Sequence, residues 1–219
     1  MESFGVVRGK LHRSVALRDG SFVRTKLPVE KQYDLESVVD LTSVADHAYL
    51  TEKSPPLLAC DGQEVRVVDL YCGVGGMSLG VREACRALQR SFVPVLAVDA
   101  DESALSLYSR NIGRDVATSI DLSGVSRNLE RPRTATEVAI TRAAGGRPDL
   151  MIAGPPCQGH SNLNNHTRRD DPKNEHYFRV VRMAELLKPR FVIIENVPTV
   201  TSDLRRSVPR AVKALQHLG

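Results

Sequence analysis

The chain has 219 residues, of which 42% are hydrophobic and 26% are charged, as in a soluble domain with one core. No run approaches the roughly 20 apolar residues that span a bilayer, and the first residues lack the charged and then apolar layout of a secretory signal. These observations argue against a membrane or secreted protein. We expect one main domain in the cytoplasm, either in the cytosol or at the nucleoid.

Net charge and cysteine spacing give weaker indications about the binding partner and the redox compartment. The net charge of +4 and the isoelectric point near 9.0 favour a polyanionic partner, although many proteins without such a partner are equally basic. The cysteines show no Cys-x-x-Cys spacing, so we expect free thiols in a reducing compartment rather than a disulfide framework. The four cysteines are Cys60, Cys72, Cys85 and Cys157.

Residues 1–63 form a predicted N-terminal extension without a recognisable motif. The extension ends near the pair Pro55-Pro56, which is typical of a connector before a new unit. Two segments, 21–24 and 37–41, have the composition of short strands, but their periodicity does not decide the matter. The role of the extension stays open at the level of the sequence.

From Val65 onward, apolar runs of strand length alternate with segments of helical period. This alternation is typical of successive β-α units and predicts an α/β fold with a mainly parallel sheet. Helical faces are predicted from Met77 to Leu88, from Tyr177 to Leu187 and from Val208 to Leu218, with a short helix between Ser123 and Arg147. The predicted strands are Val65–Leu70, Val93–Val98, Val116–Ile120, Leu150–Ala153 and Phe191–Glu195.

A glycine-rich turn, Asp69 to Gly80, joins the first of these strands to the first helix. Glycines let the backbone turn sharply and approach a nucleotide-type cofactor closely. Asp99 lies 23 residues after Gly76, at the end of the second strand, where a carboxylate can bind ribose hydroxyls. The acidic Asp69 would repel a pyrophosphate, so a cofactor with a cationic or amino group suits the turn better. A tight turn without a ligand is the simpler alternative.

Two further strand ends carry residues that can do chemistry. Cys157 follows the strand Leu150–Ala153 in the string Gly-Pro-Pro-Cys-Gln, and Glu195 follows the apolar run 191–194. Because the carboxyl ends of parallel strands line the ligand crevice, both side chains are expected to face one pocket beside the glycine-rich turn.

A thiol and a carboxylic acid in one pocket form a matched catalytic pair. The thiol is the strongest nucleophile among the ordinary side chains and can attack an electron-poor ring carbon. A carboxyl group buried beside an apolar strand tends to keep its proton, so Glu195 can donate a hydrogen bond to a ring nitrogen. The alternatives are an inert core cysteine and a glutamate that only caps a helix.

Three motifs in chain order resemble those of the DNA (cytosine-5)-methyltransferases. They are Asp-Leu-Tyr-Cys-Gly-Val-Gly-Gly at 69–76, Gly-Pro-Pro-Cys-Gln at 154–158 and Glu-Asn-Val at 195–197. The resemblance implies a Rossmann-like fold that uses S-adenosylmethionine as its methyl donor and DNA as its partner. It further implies that Cys157 adds to C6 of a flipped-out cytosine, that Glu195 engages N3 and the exocyclic amine, and that C5 then takes the methyl group.

The same resemblance assigns cofactor and substrate contacts by position. It places Tyr71 against the cofactor, Asp99 on its ribose and Asp121 on its adenine amine. Ala100 stands where the family often has an aromatic residue, so the stacking partner of the adenine is in doubt. The expected cofactor contacts are Asp69, Tyr71, Gly73, Gly75, Gly76, Asp99, Asp121 and Pro156, and the expected substrate contacts are Gln158, Ser161 and Asn196.

The loop from Gln158 to Asn174 is polar and basic enough to contact a nucleic-acid strand, with a mobile surface segment as the alternative. Its histidines invite a metal hypothesis, but neither their spacing nor the chemistry requires a metal, and none is expected. The histidines in or beside the loop are His160, His166 and His176.

The predicted catalytic domain, residues 64–219, lacks several family features. An arginine-containing motif, a target recognition domain, the last sheet strands and a final cofactor motif are absent, which leaves a sheet edge exposed. We therefore expect either a fragment or a second polypeptide that completes the domain, and we expect the isolated chain to methylate DNA poorly or not at all. The favoured function is a DNA methyltransferase of the restriction-modification type. A tRNA cytosine-5 methyltransferase and a non-catalytic cofactor-binding subunit are the alternatives.

Overall fold

The computed structural model describes residues 1–27, 29, 33–35, 37, 39–51, 62–112, 116–156, 176–196 and 206–218. The chain divides into two units, Met1–Glu64 with Gly80–Phe92, and Val65–Leu79 with Val93–Gly219. The strands are β1 (Glu2–Val7), β2 (Lys10–Ala16), β3 (Phe22–Lys26), β4 (Glu64–Leu70), β5 (Ser91–Asp99), β6 (Ala117–Ser119), β7 (Leu150–Ala153) and β8 (Phe191–Ile194). The helices are α1 (Leu41–Leu50), α2 (Gly76–Ala87), α3 (Glu102–Ile112), α4 (Ala135–Ala143), α5 (His176–Leu187) and α6 (Ser207–His217). Within these ranges, no helix is long and apolar enough to cross a membrane.

The first unit contains a three-stranded antiparallel sheet in the order β1-β2-β3. Arg8 and Gly9, both at positive φ, form the two-residue turn between β1 and β2, and such a turn matches the twist of a hairpin. Gly20, at φ 84°, lies in the second turn. Asp19 holds that turn by accepting hydrogen bonds from the backbone N–H and the hydroxyl of Ser21.

Helix α1 follows this sheet. The possible strand at 21–24 is present as part of β3, whereas the described residues of 37–41 do not form one. Asp40 is instead the N-cap of α1, since its Oδ1 accepts hydrogen bonds from the backbone N–H of Thr42 at 3.0 Å and of Ser43 at 3.2 Å. The buried core of this unit includes Leu11, Leu27, Val44 and Ala45.

The second unit is built on a five-stranded sheet in the order β6-β5-β4-β7-β8. β4 pairs with β7, β5 with β6 and β7 with β8, all in parallel. The predicted α/β class with a mainly parallel sheet is therefore confirmed. β7 has the predicted bounds, β5 is longer than predicted and β6 is shorter. The buried core of the sheet includes Val68, Leu70, Leu96, Val98, Met151 and Ala153.

The predicted buried faces of the helices agree with the observed burial to different degrees. On α5 the prediction is confirmed, because every residue of the predicted face is buried. On α2 it is partly wrong, because Ala84 and Leu88 are exposed while Cys85 is buried. On α6, Val212 and Leu218 are 47% and 41% exposed. The buried residues on the predicted face of α5 are Tyr177, Val181, Ala184 and Leu187.

Helix α4 is the short helix predicted between Ser123 and Arg147. It begins with a capping box, in which Thr134 Oγ1 accepts a hydrogen bond from the backbone N–H of Glu137 and Glu137 Oε2 accepts one from the backbone N–H of Thr134. Glu137 also pairs with Arg182 of α5, whose Nε donates to Glu137 Oε1 at 3.0 Å. Arg182 and Glu137 are both buried, and this pair joins α4 to α5.

Candidate cofactor and catalytic site

Two glycines of the turn between β4 and α2 have a positive φ, and one of them also has no space for a side chain. Gly73 has a positive φ of 50°, and its N–H donates to Asp99 Oδ2 at 2.9 Å. Gly75 has a φ of 92°, and a Cβ at this position would lie 2.9 Å from a ring carbon of Tyr108. Gly76 begins α2, and a Cβ added there would meet no described atom within 4 Å. The turn therefore requires glycine most strictly at position 75.

Asp69 lies beneath this turn rather than in an open pocket. The residue is 2% exposed, and its Oδ2 accepts a hydrogen bond from Ser78 Oγ at 2.7 Å. Ser78 in turn contacts the hydroxyl of Tyr108 at 2.9 Å. Burial raises the pKa of Asp69 to about 7, against the opposing effect of the Ser78 hydrogen bond. Asp69 thus fixes the start of α2 from within the core.

Asp99 ends β5 and accepts two backbone hydrogen bonds. Besides the bond from Gly73, its Oδ1 accepts from the N–H of Asp101 at 3.0 Å. The backbone N–H of Cys72 donates to the carbonyl of Val98 at 3.1 Å, so the turn and the end of β5 are joined at two points. These bonds fix the position of the carboxylate at the carboxyl edge of the sheet.

A cavity of about 270 Å³ opens at this edge. It brings together four of the predicted cofactor residues, which come from the ends of different strands. Its volume lies just below the roughly 300 to 1,000 Å³ of typical small-molecule sites. The cavity is lined by Tyr71, Asp99, Ala100, Ile120, Asp121, Leu122, Gly154, Pro156 and His176.

An aromatic pair forms one wall of the cavity. The hydroxyl of Tyr71 hydrogen-bonds to Nδ1 of His176 at 2.9 Å, and the two rings meet edge to face with centroids 5.4 Å apart. Burial raises the pKa of the Tyr71 hydroxyl, and the nearby charge of Arg179 opposes this rise. The sequence suggested His176 only as a metal ligand. Its position in the sequence, 100 residues after Gly76, gave no signal that it would face the glycine-rich turn.

Asp121 also lines the cavity and is exposed. Its Oδ2 accepts a hydrogen bond from Ser123 Oγ at 2.5 Å, and its Oδ1 accepts from the backbone N–H of Ser123 at 2.7 Å. These bonds lower the pKa of Asp121, so the group is an ionised acceptor at neutral pH. Ile120 and Leu122 flank it and give the cavity an apolar surface.

The ends of β7 and β8 meet beside the cavity. The N–H of Gly154 donates to the carbonyl of Leu70 at 3.2 Å, and the N–H of Glu195 donates to the carbonyl of Ala153 at 2.9 Å. Pro156 lines the cavity, so the chain leaves β7 toward the proposed cofactor.

The predicted catalytic and substrate residues are placed only in part. Glu195 is exposed, so the burial invoked to keep it protonated is not found. Cys157, Gln158 and Ser161 lie outside the described residues. Another thiol, Cys72, is described next to the turn; it is buried, and burial raises its pKa, so it is a poor nucleophile.

Asn196 is held by a contact that sequence reasoning missed. The hydroxyl of Tyr177 donates to Asn196 Oδ1 at 2.7 Å, and Tyr177 is 2% exposed. The sequence indicated that Tyr177 is buried, but it gave no sign that its hydroxyl reaches the residue after Glu195. In the described ranges, no three His, Cys, Asp or Glu side chains cluster as metal ligands.

The second unit of the chain matches a known protein family. The model of the C-5 cytosine-specific DNA methylase family matches residues 65–219, which includes every element of the cavity. The chain belongs to this methylase family. The match begins at β4 and leaves the N-terminal sheet outside the family region.

Two similar proteins are Type II methyltransferases of named bacteria. The chain is 39% identical over 204 residues to the Type II methyltransferase M1.BsuMI of Bacillus subtilis, covering 93% of this chain and 47% of that protein. It is 30% identical over 133 residues to the Type II methyltransferase M.AgeI of Thalassovita gelatinovora, covering 61% of this chain and 28% of that protein. The chain therefore spans half or less of the length of these relatives.

Two solved structures align with part of the chain. DNMT2 of Spodoptera frugiperda, solved as a triple mutant, aligns with a TM-score of 0.47 and 20% identity, covering 69% of this chain and 41% of that one. The plantazolicin methyltransferase BpumL, solved in complex with SAH, aligns with a TM-score of 0.29 and 12% identity, covering 71% of this chain and 50% of that one.

Proposed function

We propose that this chain supplies the cofactor site and the catalytic cysteine of a DNA (cytosine-5)-methyltransferase in a bacterial restriction-modification system. The observation that carries the proposal is the cavity at the carboxyl edge of the sheet, where Tyr71, Asp99 and Asp121 meet Pro156, one residue before Cys157. Membership of the methylase family supports the same reaction. Similarity to bacterial Type II methyltransferases supports a cytoplasmic location.

S-adenosylmethionine is the proposed methyl donor, and the residues of the cavity fit its chemistry. Asp99 and Asp121 offer carboxylate oxygens to hydroxyl and amine groups. Tyr71, Ile120 and Leu122 offer an apolar surface to a purine ring. When bound, the donor supplies an electrophilic methyl group. The chain itself binds and orients that group beside the end of β7.

The aromatic pair of Tyr71 and His176 is the proposed contact for the adenine ring, because Ala100 has no aromatic side chain. Ala100 lines the cavity but offers only a methyl group. The rings of Tyr71 and His176 present the aromatic surface instead, and their mutual hydrogen bond fixes both rings. We assign adenine contact to this pair rather than to the residue that follows Asp99.

The proposed covalent step belongs to Cys157. Its thiolate adds to C6 of a flipped-out cytosine, which moves electron density onto C5 and makes that carbon nucleophilic. Glu195 engages N3 and the exocyclic amine, and loss of the C5 proton with expulsion of the thiolate restores the ring after methyl transfer. Gln158 and Ser161 are proposed substrate contacts on the same loop. Because Glu195 is exposed here, the bound base itself has to desolvate its carboxyl group.

Asn196 is proposed to position the neighbouring glutamate. The buried hydroxyl of Tyr177 holds the Asn196 side chain, and the N–H of Glu195 is bonded to Ala153 on β7. The backbone N–H of Glu195 and the side chain of the next residue, Asn196, are thereby both held in place. Such support restricts the carboxyl group to the edge of the sheet where the loop with Cys157 begins.

We propose that residues 64–219 are an incomplete catalytic domain, preceded by an N-terminal unit. β8 lies at one end of the sheet order, and its Phe191 and Ile193 are 68% and 49% exposed on the same face. Further strands and a target recognition domain, supplied by a second polypeptide or by another segment of the same protein, would cover this surface. The isolated chain is then expected to have little or no methyltransferase activity.

Two alternatives retain the same cavity but change the function. A tRNA cytosine-5 methyltransferase would use the same catalytic groups on a different nucleic acid. A non-catalytic cofactor-binding subunit would not need the thiol. Methyl incorporation separates all three functions.

The test measures transfer of a radiolabelled methyl group from S-adenosylmethionine to duplex DNA and to tRNA. The chain is mixed with a second polypeptide that carries the part of M1.BsuMI lying outside the match. We expect labelled DNA, loss of the label with Cys157→Ser, and retention with the control Cys85→Ala, which removes a buried thiol. Labelled tRNA without labelled DNA would favour the tRNA enzyme, and label that survives Cys157→Ser would exclude the proposed chemistry.

A further inference from the structure

The outward face of the N-terminal sheet has no role in the reaction described above. Successive side chains of a strand point to opposite faces, and Leu11 and Arg13 of β2 are buried on the inner face. Their neighbours on β2, and the β3 residues paired with those neighbours, therefore lie on the other side of the sheet. The outward face includes Lys10, His12, Ser14, Phe22, Arg24 and Lys26.

The segment that forms this sheet is basic. Residues 1–27 contain six lysines and arginines and two acids, a net charge of +4 that equals the net charge of all 219 residues. Neither acid lies on the outward face, because Glu2 pairs with the buried Arg13 at 3.0 Å and Asp19 holds Ser21 in the second turn. The outward positions of β2 and β3 therefore carry cations, and the outward positions of all three strands carry no carboxylate.

The cations of the outward face are exposed and ordered by the strand register. Lys26 lies opposite His12, Arg24 lies opposite Ser14, and Lys10 begins β2. Lys10, Arg24 and Lys26 are all exposed, and none of them forms an ion pair with another residue in the described ranges. Their charges are available to an anionic partner.

The shape of the outward face suits a close approach by that partner. Gly5 lies beside His12, and a Cβ added to Gly5 would meet no described atom within 4 Å. Phe22, at one end of the face, is 62% exposed. Three strands span about 10 Å at the usual strand spacing, which is close to the roughly 12 Å width of the major groove of B-DNA. Strands enter DNA grooves in several known recognition modes.

Contacts of Arg13 on the inner face hold the N-terminal sheet, and with it the outward face, in position. Arg13 forms an ion pair with Glu83, and its guanidinium lies 5.5 Å from the ring of Phe4. Glu83 also accepts hydrogen bonds from Arg86, which further fixes the carboxylate. The cations of the outward face are thus presented by a supported sheet, so little ordering is required when a partner binds.

The comparison with M1.BsuMI includes most of the residues that precede the family region. That alignment covers 204 residues of the chain, whereas the family region 65–219 contains 155. At least 49 of the aligned residues therefore precede the family region. Most of the residues that precede the family region are therefore part of the similarity to a Type II methyltransferase.

We infer that the outward face of the N-terminal sheet binds duplex DNA, with its strands in the major groove and Lys10, Arg24 and Lys26 on the flanking phosphates. The inference rests on the proposed function for the identity of the nucleic acid. The methylase domain then acts on DNA that is also held through the N-terminal unit. Each phosphate contact releases counterions, so this binding weakens as salt is added.

The test measures binding of the full chain to a fluorescent DNA duplex by anisotropy over a range of salt concentrations. The sheet variant combines Lys10→Gln, Arg24→Gln and Lys26→Gln. The control variant combines Arg142→Gln, Lys188→Gln and Lys213→Gln, which removes two exposed lysines and one exposed arginine from the second unit. The two variants have the same net charge, and equal unfolding midpoints establish that both are folded.

We expect the sheet variant to bind duplex DNA at least about tenfold more weakly and the slope of log affinity against log salt to fall by about 3. The control variant should stay within about threefold of the parent chain. A-form RNA has a major groove that side chains cannot read, so the loss on an RNA duplex should be smaller. Equal losses in both variants, or equal losses on RNA and DNA, would overturn the inference.

The binding test and the methylation test can fail separately. A selective loss of DNA binding in the sheet variant supports the outward face even if no methyl group is transferred. Conversely, Cys157-dependent methylation with unchanged DNA binding by the sheet variant would contradict this inference and leave the proposed function intact.

Discussion

The two units of the chain place their functional side chains in different parts of a sheet. In the N-terminal unit the sheet is antiparallel, one face packs inward, and the proposed DNA contacts lie on the other face. In the methylase unit the paired strands run parallel and carry buried residues, and the cofactor residues lie at the carboxyl ends. An antiparallel sheet can leave one face to solvent, whereas a parallel sheet covered on both faces leaves only its edge for ligands.

Each unit also contains a buried arginine, and the two differ in how well they are paired. Arg182 donates to Glu137, to Glu185 and to the carbonyl of Arg131. Arg13 pairs with Glu83 and, through Nε at 3.0 Å, with Glu2, whose side chain is 47% exposed. The contact of Nε with Glu2 lacks hydrogen-bond geometry. The methylase unit thus depends more strongly on its arginine.

The largest expected effect follows from this difference. Arg182→Met leaves Glu137, whose side chain is 0% exposed, without its cation, and we expect the free energy of unfolding to fall by about 3 to 5 kcal/mol. Arg13→Met should cost only about 1 to 2 kcal/mol, because Glu2 is partly solvated and Glu83 keeps Arg86. Urea unfolding of both variants measures the two losses. Equal losses in the free energy of unfolding would show that the different pairing of the two arginines does not affect stability.

Two glycines at positive φ provide the next comparison. Gly75→Ala combines a strained backbone with a clash against Tyr108, and we expect a loss of about 2 to 3 kcal/mol. Gly9→Ala in the first hairpin also has a positive φ, but its Cβ would meet no described atom within 4 Å, so about 1 kcal/mol is expected. Urea unfolding separates the steric contribution from the backbone contribution. A Gly9→Ala loss as large as that of Gly75→Ala would remove the argument for close packing at the turn.

Aspartates of the two units respond to pH in opposite directions. Burial raises the pKa of Asp69 to about 7, so the folded state favours its protonated form and stability falls as pH rises from about 4 to 7. Hydrogen bonds from Ser21 and Ser43 lower the pKa of Asp19 and Asp40, so their contribution is lost only as pH falls below about 4.

Asp69→Asn isolates the first of these effects. The parent chain should lose about 1 to 2 kcal/mol more than the Asp69→Asn variant when the pH of a urea unfolding experiment is raised from 5 to 7. The Asn side chain can still accept the hydrogen bond of Ser78, so packing beneath the turn is retained. Parallel pH profiles for the two proteins would show that Asp69 does not titrate in this range.

The smallest expected effect concerns two tyrosine–histidine pairs. Tyr71→Phe removes the hydrogen bond to His176 in the cavity, and we expect the affinity for S-adenosylmethionine to fall about threefold to tenfold. Tyr33→Phe removes a similar bond to His47 in the N-terminal unit and should leave that affinity unchanged. Isothermal titration calorimetry measures both. An equal effect of the two substitutions would argue against the cavity as the cofactor site.

The sequence was most informative about the sheet of the second unit. Apolar runs located the five strands of this sheet. The family resemblance assigned Tyr71, Asp99, Asp121 and Pro156 to the cofactor, and all four line the cavity at the carboxyl edge. Asp69 was placed correctly at the end of β4, but its side chain lies in the core beneath the turn. Position along a strand does not reveal whether a polar side chain finds an internal partner.

The sequence was least informative where contacts join distant segments. The bonds between Tyr71 and His176 and between Tyr177 and Asn196 depend on where α5 begins relative to the sheet, and no local pattern encodes this. In the N-terminal unit, alternation on β2 is obscured because a buried inner position is occupied by Arg13. The ion pair with Glu83 makes that burial possible, and a hydrophobic pattern cannot predict it.

The most direct test of the account uses duplex DNA in which the target cytosine is replaced by 5-fluorocytosine. Fluorine at C5 cannot leave as a proton does, so a thiol that has added to C6 stays attached after methyl transfer. With S-adenosylmethionine and the complementing polypeptide present, we predict a covalent adduct that peptide mass spectrometry maps to Cys157. Loss of the adduct with Cys157→Ser, together with its retention with Cys85→Ala, completes the expected result. An adduct at another cysteine, or no adduct on DNA that the complex demonstrably binds, would contradict the account.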